Sequence, residues 1–214
     1  MPDIKICGLS TTETLDAALE AGADLVGFVR FPRSPRHLSL DTGRLLSRRA
    51  KGRAARVVLL VDPDDAAVTE AVDALDPDLI QLHGHESPER VAAIRATTGR
   101  LVMKALGIAA RGDLAVVPSY AAVADRLLLD AKAPPGAALP GGNGVTFDWD
   151  LLAGAALPPG TMLSGGLGPG NVAGAMARTG LSAVDVSSGV EGAPGVKDPA
   201  LIRAFIAAAR HGRS

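Results

Sequence analysis

The chain has 214 residues, 47% of them hydrophobic but only 3% aromatic, and 22 basic residues nearly balance 23 acidic ones. That length and apolar content suit one large core, so a single domain over residues 1–214 is expected. With no lysine or arginine cluster flanked by aromatics, nucleic acid is excluded as a partner, and with no apolar run of about 18 residues a membrane span is excluded too. Met1-Pro2-Asp3 leads into the first strand without the charged and apolar regions of a signal peptide, which together with a lone cysteine predicts a cytoplasmic, reducing location.

In chain order, Ile4 to Gly8 reads as a strand and is followed by a helix from Thr12 to Ala21, capped by Ser10, Thr11 or Thr12 and ended by Gly22. Side chains alternate along a strand, so Lys5 and Cys7 share one face and Ile6 takes the other. Leu25 to Val29 is a second strand. It leads into Phe31-Pro32-Arg33-Ser34-Pro35-Arg36-His37, where two prolines stop both helix and sheet. A helix over Leu40 to Ala50 and a strand over Arg56 to Val61 come next.

The pattern repeats with helix Asp64 to Leu75, strand Leu79 to His83, helix Ser87 to Thr97 and strand Leu101 to Leu106. A helix over residues 111–124 is interrupted by Pro118, and Arg126 to Ala131 forms the sixth strand. A Pro/Gly-rich loop from Ala133 to Gly144 precedes a helix over Asp148 to Ala156. Thr161 to Ser164 and Ala183 to Val186 are the last strands, with helices over Asn171 to Arg178 and Pro199 to Arg210. The strands are continuous apolar runs, as in parallel strands covered on both faces. Eight strand-helix units predict an α/β chain closed into a (β/α)8 TIM barrel, which leaves no strand at an edge.

In such a barrel the chemistry lies at the carboxyl ends of the strands, and the loops after strands 7 and 8 often bind phosphate. Here those loops are Ser164-Gly165-Gly166-Leu167-Gly168 and Ser187-Ser188-Gly189. A single Gly-Gly pair would only mark a tight turn. Two such loops in the two expected places, each opening toward a helix start, read as a phosphate cradle.

Seven short motifs, one at the end of nearly every strand, carry a resemblance over essentially the whole chain: Lys5-Ile6-Cys7-Gly8-Leu9, Ser34-Pro35-Arg36, Gln81-Leu82-His83-Gly84, Leu129-Asp130-Ala131, Gly141-Gly142-Asn143-Gly144, Ser164-Gly165-Gly166-Leu167, and Asp185 through Glu191. In this order they resemble phosphoribosylanthranilate isomerase, a cofactor-free barrel enzyme of tryptophan biosynthesis that performs an Amadori rearrangement. The resemblance implies Cys7 as general base and Asp130 as general acid. It implies a substrate site with Arg36 on the anthranilate carboxylate, Gln81 and His83 at the mouth and Asp185 near the substrate nitrogen. Phosphate is then held by Gly142, Gly144, Gly165, Gly166, Ser187 and Ser188. The expected partner is a small-molecule substrate, with no metal and no cofactor, in a monomer or homodimer.

The chemistry gives these residues tasks that can be checked. A free thiol near pKa about 8.5 is only a few per cent thiolate at neutral pH, so a cysteine base needs a setting that lowers it, and Lys5 is one source. An acid must instead hold its proton, which burial favours. Taken alone, Cys7 would be a small buried hydrophobe, Asp130 a turn cap and Arg36 a solvated loop residue. Asp185 has a second reading as an interior ion pair with Lys5. His83, His85 and Glu86 imitate a metal site but lack a third spaced ligand cluster.

The chain departs from the family pattern at Ser10, after the first Gly-Leu, at Arg30 in a normally apolar stretch, and at Asn143, where threonine is commoner. The rival enzyme, the aminoaldose isomerase of histidine biosynthesis, resembles this fold but has aspartate where Cys7 stands. A barrel that only binds sugar phosphates or a partner protein is the non-enzymatic rival, against which Cys7, Arg36 and Asp130 together argue.

Overall fold

The computed structural model describes residues 2–133, 136, 141, 144 and 146–211. Eight parallel strands, β1 (Asp3–Cys7), β2 (Leu25–Val29), β3 (Ala55–Leu60), β4 (Leu79–Leu82), β5 (Leu101–Ile108), β6 (Arg126–Ala131), β7 (Met162–Leu163) and β8 (Ala183–Val186), pair in chain order, and β8 returns to β1 to close the barrel. Outside them lie α1 (Thr12–Glu20), α2 (Leu40–Ala50), α3 (Asp65–Leu75), α4 (Pro88–Thr98), α5 (Val117–Ala121), α6 (Val172–Thr179) and α7 (Pro199–His211). None of the described helices is long and apolar enough to cross a membrane.

The period-two alternation sorts each strand into two cores. Ile4, Ile6, Val26, Phe28, Val58, Leu60, Ile80 and Leu82 face outward and are buried under Leu15, Leu46, Leu75 and Phe205 of the helices. Leu25, Val57, Leu79, Met103, Leu128, Met162 and Ala183 point inward and fill the barrel. Both faces being apolar explains why the strands read as unbroken hydrophobic runs. Thr11, Ser39, Asp64 and Ser87 begin four helices by accepting a hydrogen bond from the backbone N–H three residues on. Each such cap is worth about 1 kcal/mol.

Three expectations are corrected. The helix expected over Asp148 to Ala156 is only a 3-10 turn, Trp149–Leu152, because Asp148 caps it and the chain turns at Gly154 with a positive φ of 68°. The helix expected over 111–124 splits into a 3-10 turn, Arg111–Val116, and the short α5. Proline lacks an N–H, so Pro118 is tolerated in the first turn of α5 but not inside a continuous helix. After β8, a 3-10 turn (Ser188–Val190) leads into a hairpin, β9 (Glu191–Ala193) with β10 (Val196–Lys197), that the strand reading missed.

Candidate active site

Cys7, Arg36, Gln81, His83, Asp130, Gly144, Gly165, Gly166, Asp185, Ser187 and Ser188 all line one cleft at the carboxyl ends of the strands. Gly142, and with it Asn143, lies outside the described residues. Strand register explains the convergence. Lys5 pairs with Leu25 and Asp185, and Cys7 stands two residues further toward the mouth beside Gly27. A Cβ on Gly27 would sit 2.9 Å from Cys7 Sγ, so this strand glycine makes the space for the thiol.

Below Cys7, Lys5 Nζ donates to Asp185 Oδ1 at 2.7 Å, and Ser164 Oγ donates to Asp185 Oδ2 at 3.0 Å. Both charged side chains are almost completely buried. Burial is the largest single effect on Lys5 and would lower its pKa, but the charge and hydrogen bond of Asp185 together with those of Cys7 outweigh it and the shift is upward. The interior ion pair is therefore formed. Removing one partner of a buried pair costs about 3–5 kcal/mol because the other charge is stranded. Asp185→Asn is accordingly expected to lower the melting temperature by an amount matching that loss. A variant that melts like wild type but loses activity would assign Asp185 to the substrate alone.

For Cys7 itself the lowering that a cysteine base needs is not found. Burial pushes the thiol pKa up, and Asp185 adds to it, against the opposing pull of Lys5 and of Lys197. Desolvation of the thiolate is the larger effect because Cys7 is 3% exposed.

Arg36 reaches the mouth from the loop after β2. Its Nε and Nη2 donate to the two carboxylate oxygens of Glu191 at 2.6 and 2.9 Å, a bidentate clamp. Lys197 Nζ donates to Glu191 Oε1 at 2.7 Å and to the Ser187 carbonyl at 2.8 Å. Despite its burial, Glu191 is held below the usual carboxylate range by these cations, while burial lowers the Lys197 pKa against the pull of Glu191. Two basic side chains thus converge on one carboxylate at this rim.

Glu191 and Lys197 are the residues that the sequence reading missed. Pro194-Gly195 between short strand-like stretches was the available hairpin signal.

On the opposite side, Gln81 Nε2 lies 3.0 Å from His83 Nδ1, and His83 Nε2 lies 3.2 Å from Asp130 Oδ2. Asp130 Oδ1 accepts the N–H of Ala131 at 2.9 Å. His85 turns out toward Asp62, whereas Glu86 turns inward to Lys104 at 2.8 Å, so these two and His83 do not meet at a point.

The glycine loops close the remaining wall. Gly165 and Gly166 have φ of 86° and 61°, and a Cβ on Gly165 would lie 2.6 Å from the Ala131 nitrogen. Only glycine brings the backbone this close to the cleft without strain. Asn171 pins the loop, accepting from the Gly168 N–H and donating to the Gly166 carbonyl. The β7 loop leads on to α6, whereas the β8 loop enters a 3-10 turn instead of an α-helix.

A closed (β/α)8 barrel with a thiol, a carboxyl group and glycine loops gathered at one end defines a barrel enzyme with its working cleft at the strand carboxyl ends. A family model described as N-(5'phosphoribosyl)anthranilate (PRA) isomerase matches residues 4–208, and the chain belongs to that family; it is an isomerase of tryptophan biosynthesis. It is 65% identical over 208 residues to the N-(5'-phosphoribosyl)anthranilate isomerase of Azorhizobium caulinodans, covering 97% of this chain and 91% of that one. The phosphoribosyl anthranilate isomerase of Thermotoga maritima superposes with a TM-score of 0.88 at 35% identity, covering 98% of this chain and 99% of that one. A phosphoribosyl anthranilate isomerase in complex with reduced 1-(O-carboxyphenylamino)-1-deoxyribulose 5-phosphate superposes with a TM-score of 0.85 at 33% identity, with the same coverage of both chains.

Proposed function

We propose that this chain converts N-(5-phosphoribosyl)anthranilate to 1-(2-carboxyphenylamino)-1-deoxyribulose 5-phosphate by an Amadori rearrangement, with Asp130 as general acid and Cys7 as general base. The observation that carries this reading is the placement of the thiol on β1 and the carboxyl on β6 in one cleft, with the β7 and β8 glycine loops beside them. Asp130 gives its proton to the furanose ring oxygen while the substrate nitrogen pushes its lone pair toward C1. The ring C–O bond breaks and a Schiff base forms. Cys7 then removes the proton from C2, the electrons move into the enolamine, and tautomerisation yields the ketose. Each proton transfer needs one positioned group.

The glycine loops are read as the phosphate site and the rim around Arg36 as the anthranilate carboxylate site. Loss of phosphoribosylanthranilate fluorescence with the purified protein tests the assignment. No loss at substrate concentrations in the millimolar range would reject it.

Arg36 contacts the carboxylate in both ground and transition states on this reading. Arg36→Ala should therefore raise KM by a loss of about 1.5–3 kcal/mol, the worth of a charged hydrogen bond, and leave kcat within a few-fold. A collapse of kcat at constant KM would move Arg36 to another role.

A further inference from the structure

Arg36 borders the cleft, whereas its carboxylate partner Glu191 and that residue's second partner Lys197 are not among the described residues that line it. The arginine is thus gripped from outside the cleft. A carboxylate offers about four lone-pair directions, two on each oxygen. Glu191 Oε1 accepts from Arg36 Nε at 2.6 Å and from Lys197 Nζ at 2.7 Å, and Oε2 accepts from Arg36 Nη2 at 2.9 Å and from the Gly195 N–H at 3.2 Å. All four directions are taken. Lys197 is equally committed, its three N–H groups meeting Glu191, the Ser187 carbonyl at 2.8 Å and Ser187 Oγ at 3.1 Å. Both side chains are buried. A carboxylate saturated in this way does not turn to meet a ligand; it holds a guanidinium in one plane.

The backbone is fitted to the same end. A Cβ on Gly195 would lie 2.6 Å from the Pro35 carbonyl oxygen, and one on Gly8 would lie 2.8 Å from Arg36 Cδ. The turn of the β9–β10 hairpin therefore sits directly against the Ser34-Pro35-Arg36 segment, and the stem of the arginine rests on bare backbone at the end of β1. Ordering a rotamer-rich side chain at the moment of binding costs affinity, and fixing it beforehand removes that cost.

We propose that Glu191, backed by Lys197 and the β9–β10 turn, is a positioning residue that fixes the Arg36 guanidinium for the anthranilate carboxylate before the substrate arrives. The inference rests on the reading of Arg36 as the anthranilate carboxylate site. Glu191 acts through the arginine and touches no substrate atom. A guanidinium carries five N–H donors, and Glu191 engages one on Nε and one on Nη2, so the grip is kept when the site fills.

Steady-state rates of the full chain with phosphoribosylanthranilate test this. Glu191→Gln keeps the side-chain length but removes the charge and turns an amide N–H toward a cation. It should raise KM by about 10- to 100-fold, the range of one charged hydrogen bond, with kcat within about threefold. In an Arg36→Ala background the same substitution should change KM by less than about twofold, since a residue that acts only through Arg36 then has nothing to position. A merely structural role would add its loss in both backgrounds. A measurement on the wild type covers the case in which Glu191→Gln does not fold. In 15N-arginine-labelled protein the Arg36 Nε–H, assigned by its loss in Arg36→Ala, should exchange with water far more slowly than the N–H groups of exposed arginines. That protection should persist after saturating substrate has been turned over to product. A folded Glu191→Gln variant with KM within about twofold of wild type, full additivity of the two substitutions, or an Nε–H that becomes fast-exchanging once product fills the site would each overturn the proposal. Failure of the underlying reading looks different, because Arg36→Ala alone would then keep a normal KM while its Nε–H in the wild type stayed protected.

Discussion

Cys7→Ala should lower kcat by at least about 10²-fold, since it deletes the group that takes the C2 proton. The fold should survive. Cys7 clusters with Val29 and Leu59 at the mouth and belongs to neither large core. Cys7→Ser should be nearly as damaging, because a hydroxyl is a far weaker base than a thiolate. Burial and Asp185 push the thiol up in the free enzyme, and Lys5 and Lys197 do not cancel them. The fraction present as thiolate at a given pH is thus smaller than for a free cysteine, and kcat/KM should climb with pH on the alkaline side of an ordinary thiol. An ascending limb in the acid range, or a Cys7→Ala variant that keeps most of its kcat, would send the search for the base elsewhere on the rim, first to Asp185.

Asp130→Asn is the second large effect, again at least about 10²-fold in kcat. The substitution is close to isosteric, and its carbonyl oxygen can still accept the Ala131 N–H, so thermal stability should change little. The loss should appear in kcat and not in KM, because the acid is needed only as the ring opens. Circular dichroism melts and initial rates on the same preparation check both halves. A variant with normal kcat would mean that the ring oxygen receives its proton from another group.

Much of this arrangement is legible in the sequence, and the parts that are not share a cause. α2, β6 and β8 have the expected bounds because apolar periodicity and local stop signals define them without help from elsewhere. That Cys7, Gln81, His83 and Asp130 line one cleft is legible because in a parallel barrel a strand end is a position in space as well as in sequence. Glu191 and Lys197 are not. Their importance comes from Arg36, 155 residues away from Glu191, and no local pattern announces a partner at that distance. The direction of the Cys7 shift is not legible for a related reason: a nearby lysine is visible in the chain, whereas the extent of desolvation exists only after folding. The short segments around Trp149 and Pro118 were overread because propensity suggests a helix while the room available for its later turns is set by tertiary packing.

The ion pair between Lys5 and Asp185 also bears on how the ring closes during synthesis. Strand β1 leaves the ribosome first, and until residue 185 has emerged it has β2 on one side and an open edge on the other. An open strand edge invites pairing with another nascent chain, and an inward-pointing charge is one device that discourages it. Lys5 is such a charge. Strand β8 brings both the hydrogen-bonding edge and the carboxylate that lets the lysine be buried. Closing the ring and neutralising its interior are therefore one event, and partial barrels carry a built-in reason not to join one another.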